Sequence, residues 1–237
     1  LPDWDFKLKN VLSISASGHK FGESCIGTGW VVWRQRENLS DHVAISVSYL
    51  GGKGESYNLN FSRPASGIYV QYYKFLRYGI SGYQKLCEHM MIHAQKIRVE
   101  LEKMKFEGKP RFIILDDGDK NCLPVVTAML NPECNFEYDD IDLQHAISEH
   151  NWYVSGYKMS FEDPITKLEK PIFKDQDGSK TMFRIVVKNN INSVMVENLI
   201  DSFGKTLEML DSIEFKNKAD GFYKGICRKE NLLSKHC

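Results

Sequence analysis

Val11-Leu12-Ser13-Ile14-Ser15-Ala16, running on into Ser17-Gly18-His19-Lys20, is the stretch on which the fold turns. Apolar and small polar residues alternate up to Ala16, the two-residue period of a strand, and Ser17-Gly18-His19 closes it as a turn. Lys20 is therefore expected at a strand end, with Gly18 and Gly22 on either side. A lysine so held can point its amine into a cleft while the glycines admit a ligand, and it forms a Schiff base with an aldehyde if its surroundings lower its pKa. On these four residues alone a solvated surface lysine is the plainer account.

Outward from this turn the pattern stays legible. Gly29-Trp30-Val31-Val32-Trp33-Arg34 reads as a second strand and Val43 to Leu50 as a third, so the first fifty residues suggest strands from the edge of a sheet. Past Pro64, Val70 to Tyr78 and Gly82 to Lys105 carry apolar residues at helical spacing, predicting two helices broken between Gly79 and Gly82. Arg111 to Leu115 and Val125 to Leu130 are strand-like. Asp140 to Glu149 predicts a helix whose acidic start suits its amino end. Strands are expected over Trp152 to Met159 and Thr181 to Lys188, and a last helix from about Met195 to Ile213. The fold class is thus α/β, with residues 1–105 as the end of a larger domain plus connecting helices. Residues 106–215 read as a small α+β domain and 216–237 as a polar tail. No internal repeat or low-complexity segment interrupts this order.

Thirty-one basic residues balance thirty-one acidic ones, so no global field draws the chain to nucleic acid or an anionic membrane surface. Apolar runs such as Val31 to Trp33 are far shorter than the roughly eighteen residues of a membrane span. A soluble protein with no membrane partner is the expectation. Leu1-Pro2-Asp3-Trp4-Asp5 lacks the pattern of a secretory signal, which suggests a processed chain or part of a longer one. The six cysteines form no CxxC and no short pairing with histidine, so free thiols in a reducing, cytoplasmic compartment are expected rather than a zinc or redox site. Gly27-Thr28-Gly29 precedes a strand instead of following one, against a nucleotide loop. His89 and His93 have a metal-capable spacing, but Glu88 lies outside the pair; a wet helix face is expected there, and no metal.

Several blocks carry a family resemblance: Trp4-Asp5-Phe6, Ser17-Gly18-His19-Lys20-Phe21-Gly22, Gly29 to Arg34, Tyr49-Leu50-Gly51-Gly52, and Asn60-Phe61-Ser62-Arg63-Pro64 followed by Gln71-Tyr72-Tyr73. In order and spacing the chain resembles glutamate decarboxylases of the bacterial, plant and fungal type, within the group II pyridoxal-phosphate-dependent decarboxylases. The resemblance is dense over the first 105 residues or so and continues, thinner, through Arg184. Gly18 stands where decarboxylases of aromatic amino acids, and the animal glutamate enzymes, usually have proline.

This resemblance implies fold type I, a transferase-like architecture, and the carboxy-terminal half of such an enzyme, with pyridoxal 5'-phosphate as cofactor. By the same resemblance Lys20 is the Schiff-base lysine, and Ser17 and His19 contact the cofactor phosphate. Phe61 and Ser62 belong to a loop reaching the neighbouring subunit's phosphate, and Arg184 binds the substrate α-carboxylate; taken alone, Arg184 would read as a surface strand cation. A site at the interface of a homodimer or higher homo-oligomer follows, converting L-glutamate to 4-aminobutanoate and carbon dioxide. Decarboxylation of another amino acid, or a non-catalytic truncated paralogue, are the alternatives.

Glu23-Ser24-Cys25-Ile26 and Lys53-Gly54-Glu55-Ser56 depart from the family's usual loops. The family's aspartate facing the pyridine nitrogen, its ring-stacking residue and several phosphate ligands lie upstream of the block matching Leu1. The chain by itself is therefore expected neither to bind the cofactor tightly nor to decarboxylate. Arg228 to Leu233 lacks the tryptophan of a plant-type calmodulin segment, and calmodulin is not an expected partner.

Overall fold

A computed structural model describes residues 3–47, 51–52, 54–57, 62–118, 122–172 and 180–213. They divide into two compact units, Leu1–Lys85 and Leu86–Cys237.

In the first unit β1 (Ser13–Ser17) and β2 (Gly29–Trp33) form an antiparallel ribbon, in register from Ser13 opposite Trp33 to Ser17 opposite Gly29. The ladder starts later than the alternation from Val11 predicts; just before it the Arg34 amide donates to the Leu12 carbonyl and the Arg34 Nε to the Val11 carbonyl, each at 2.9 Å. A second ribbon pairs β3 (Ile45–Val47) with β4 (Gly54–Ser56). Val43, expected in a strand, instead ends a short 3-10 turn begun at Ser40, whose hydroxyl accepts from the His42 amide; residues 48–50 of that expected strand lie outside the described residues.

The helical run α1 (Ser66–Lys103) is broken at Gly79, where φ 55° and ψ −169° suit only glycine. The break falls where the sequence placed it.

In the second unit, the end of α1 is followed by a hairpin missed in the sequence, β5 (Lys105–Phe106) and β6 (Lys109–Pro110). Its two-residue turn, Glu107 and Gly108, has both φ angles positive, which matches the twist of the flanking strands. Next come β7 (Phe112–Ile114), β8 (Val125–Leu130), α2 (Asp140–Ser148), β9 (Ser155–Lys158), β10 (Ser160–Glu162), β11 (Glu169–Pro171), β12 (Thr181–Val186) and α3 (Ser193–Asp211). β7, β8, β12 and β9 lie in that order in one antiparallel sheet, and β10 pairs with β11 separately. A reciprocal capping box fixes the start of α2: Asp139 accepts from the Ile141 and Asp142 amides, and Asp142 accepts from the Asp139 amide.

One face of the sheet and three helical segments share the core. Met90, Ala94, Ile97 and Leu101 recur at helical spacing on α1, and Val196, Leu199, Phe203, Leu207 and Leu210 on α3. Against them lie Phe112, Phe183 and Ile185 from the strands, with Phe183 edge-on to Phe112 at 5.4 Å. A buried polar lock closes one end. Arg111 forks onto Asp211 at 3.0 and 2.7 Å, and the Tyr138 hydroxyl, its pKa raised by burial and by donating to Asp211, completes the set. Among the described residues no helix is long and apolar enough to cross a membrane.

Candidate active site

Lys20 stands where the strand-end reading put it, in the turn that follows β1, with its side chain exposed. Backbone bonds hold that turn on both sides: Lys20 N donates to Ser17 O (3.3 Å), His19 N to Thr28 O (3.1 Å) and Ser24 N to Gly18 O (3.0 Å). His19 is fastened twice, since its Nδ1 also lies 3.0 Å from the Thr28 carbonyl. A carbonyl only accepts, so Nδ1 carries the hydrogen and Nε2 of the neutral ring is left as an acceptor. Ser17, His19 and Lys20 are thus brought together by one turn. No described carboxylate is paired with Lys20 Nζ, which leaves the amine available for chemistry.

The inner side of the turn meets one face of α1. Positions 67, 71 and 74 recur at helical spacing and face the loop between the two strands, and Tyr78, a turn on, meets Lys74. Gly67 lets the helix backbone approach Thr28, and its carbonyl accepts from the Ser24 hydroxyl. Gln71 is 4% exposed, and its Oε1 accepts from the Trp30 indole N–H. Lys74 reaches Glu23 at 3.1 Å and the Tyr78 hydroxyl at 3.2 Å; these bonds hold its pKa above the usual lysine range. Glu23, in a segment that departs from the family pattern, adopts the left-handed conformation (φ 54°) to make this pair. The Phe21 and Tyr83 rings, 5.3 Å apart, close the edge. Sequence reading gave Gln71 no role, although a polar residue between Gly67 and Lys74 on this stripe was the available signal.

Arg184 belongs to the second unit and is set by its sheet. β12 is an inner strand whose residues alternate: Phe183 and Ile185 enter the core while Arg184 points to the opposite face and is exposed. It sits opposite Thr127 on one side and Ser155 on the other, with its guanidinium 5.9 Å from the centre of the Tyr157 ring. Met129, Met159 and Met182 pack as a small apolar cluster with Tyr157. No described carboxylate is paired with Arg184, so its two-pronged donor face is open to an anion.

Ser62 is exposed just before α1, and Phe61 lies outside the described residues, as does the tail 216–237. The wet face expected for the histidine pair is corrected by the structure. His93 is 6% exposed and packs against His89, the rings tilted with their centres 4.3 Å apart. His89 Nε2 lies 2.8 Å from the Ile191 carbonyl, in the segment before α3, and His93 Nδ1 2.9 Å from that of His89, so this face is turned inward. Among the described residues no three histidine, cysteine or acidic side chains gather as a metal site, and the four described cysteines are free thiols.

Comparison with known proteins adds to this geometry. Residues 1–131 match the family described as the pyridoxal-dependent decarboxylase conserved domain. A glutamate decarboxylase of Lactococcus lactis subsp. lactis is 34% identical over 227 residues, covering 93% of this chain and 44% of that protein. The solved glutamate decarboxylase of Lactobacillus brevis superposes with a TM-score of 0.72 at 32% identity, covering 90% of this chain and 43% of the other. The sphingosine-1-phosphate lyase of Burkholderia pseudomallei, 18% identical with a TM-score of 0.62, covers 100% of this chain and 44% of that one, and shares the fold. The chain spans less than half the length of these relatives. The α/β architecture is that of fold type I.

Proposed function

We propose, from the premise that this chain belongs to the pyridoxal-dependent decarboxylase family, that the complete protein decarboxylates L-glutamate to 4-aminobutanoate with pyridoxal 5'-phosphate as cofactor. The observation that carries the choice of substrate is 34% identity to a glutamate decarboxylase over 93% of the chain. In the net reaction the bond from Cα to the α-carboxylate breaks, carbon dioxide leaves, and Cα takes up a proton. When bound, the cofactor acts as an electron sink for the pair that this bond releases.

The residues present fit that group. Lys20 offers an exposed amine on a turn fixed at both sides, which suits covalent attachment of an aldehyde through Nζ. Ser17 and His19 are the hydroxyl and imidazole nearest in sequence; the His19 hydrogen bond to Thr28 holds the ring in one orientation, and Nε2 would donate to a phosphate oxygen once it carries a proton. Arg184 is assigned the α-carboxylate. Two parallel N–H donors fix the torsion about the bond that must break, which the single ammonium of a lysine does poorly. Phe61 and Ser62 are assigned to the neighbouring subunit's phosphate, so the working form is a homodimer or larger homo-oligomer. A reducing, cytoplasmic setting goes with this reading, and the free thiols of Cys25, Cys87, Cys122 and Cys134 support it.

The test is direct. Purified complete protein supplied with cofactor is offered a panel of amino acids, and carbon dioxide release is followed. Release from L-glutamate well above the others supports the proposal; faster release from another amino acid, or none from any, overturns it.

A further inference from the structure

Gly18 and Gly22 bracket Lys20, and neither adopts a left-handed backbone. What they supply is therefore room. A Cβ at Gly18 would stand 2.6 Å from Gln71 Oε1, and 3.2 Å from both its Cδ and its Nε2. A Cβ at Gly22 would collide with Gln71 Nε2 and stand 2.6 Å from the Gly18 carbonyl oxygen. One amide, on a side chain 4% exposed, thus occupies the space that both glycines leave. The Trp30 indole N–H, from β2, holds its oxygen in place. Helix, ribbon and turn meet at this single side chain.

We infer that Gln71 is a positioning residue for Lys20: its amide, wedged between the two glycines and held by Trp30, fixes the turn that presents the Lys20 amine to the cofactor. This rests on the reading that Lys20 holds the cofactor. Without the amide the inner side of the turn loses its filler, and the amine samples a wider set of positions.

The complete protein is titrated with pyridoxal phosphate, following the visible band of the bound cofactor and the pH midpoint of that band. Lys20→Ala should abolish the band; if band and affinity persist, the reading of Lys20 falls, whatever Gln71 does. Gln71→Ala should leave the far-ultraviolet circular dichroism unchanged yet weaken binding about tenfold and shift the pH midpoint, which a merely structural residue would not move. Gly18→Ala alone should bind still more weakly. Gly18→Ala combined with Gln71→Ala should bind no worse than Gln71→Ala, because the added methyl enters the vacated space. Gly22→Ala should not be rescued, since the Gly18 carbonyl remains in its way. With the Lys20→Ala result as expected, unchanged binding in Gln71→Ala, or simple additivity in the double variant, overturns the inference. If Gln71→Ala fails to fold, Trp30→Phe removes the hydrogen bond and keeps a ring; a moved pH midpoint supports the inference and an unmoved one overturns it.

Discussion

Raising the pH is expected to loosen the second unit through one carboxyl group. Asp140 begins α2 with 2% of its surface exposed; it accepts from the Leu130 amide at 2.9 Å and the Thr181 hydroxyl at 2.8 Å, tying the helix to β8 and β12. Burial raises its pKa from 3.8 to about 6, against the opposing pull of these hydrogen bonds. The fold therefore favours the protonated carboxyl. Its stabilising contribution is whole below the ordinary carboxylate value and is lost as pH rises through about 6. Between pH ~4.5 and ~7 the loss is about 2 kcal/mol, roughly a twentyfold change in the opening equilibrium. Hydrogen exchange on the complete protein, corrected for the intrinsic rate at each pH, reads this as a fall in protection over residues 125–131 and 181–187. Asp140→Asn keeps an acceptor for Leu130 and cannot ionise, so its protection should change less with pH by that amount. Equal pH dependence in wild type and variant would refute the reasoning, because other titrating groups contribute alike to both.

Phe183→Ala removes a ring with no exposed surface, packed between Phe112 and Phe203; urea denaturation should show a loss of about 3–5 kcal/mol. Arg184→Lys should bind cofactor normally and lose about a hundredfold or more in turnover of L-glutamate, whereas near-normal kcat/KM would place Arg184 in the sheet alone. Purified hybrids of a Lys20→Ala subunit with a Ser62→Ala subunit should contain one site with both defects and one with neither, if Ser62 serves its neighbour. Impairment of both sites, one by each substitution, would put Ser62 in its own subunit's site.

The long elements were legible because their periodicity is local. α3 and the second half of α1 repeat apolar residues at helical spacing, and β8 matches the strand read from Val125 to Leu130. Short pairings escaped notice. The turn at Glu107 puts a non-glycine residue at positive φ, which turn chemistry does not advertise, and β10 with β11 is a three-residue ladder too short for any alternation to register. The strand-end position of Lys20 was legible, but its candidacy came from the resemblance of the flanking blocks, since the turn alone reads as a surface lysine. The part Gln71 plays was not legible, because its partners lie 41 or more residues away in sequence. His93 misled for a similar reason: it packs on His89, whose own partner, the Ile191 carbonyl, lies 102 residues on.

The central claim is that Lys20 carries the cofactor, and borohydride reduction of the complete cofactor-loaded protein, followed by peptide mapping, tests it most directly. The predicted result is one stable pyridoxyl label, on the peptide containing Lys20 and in proportion to bound cofactor. A label on any other lysine, with Lys20 unmodified, would contradict the account.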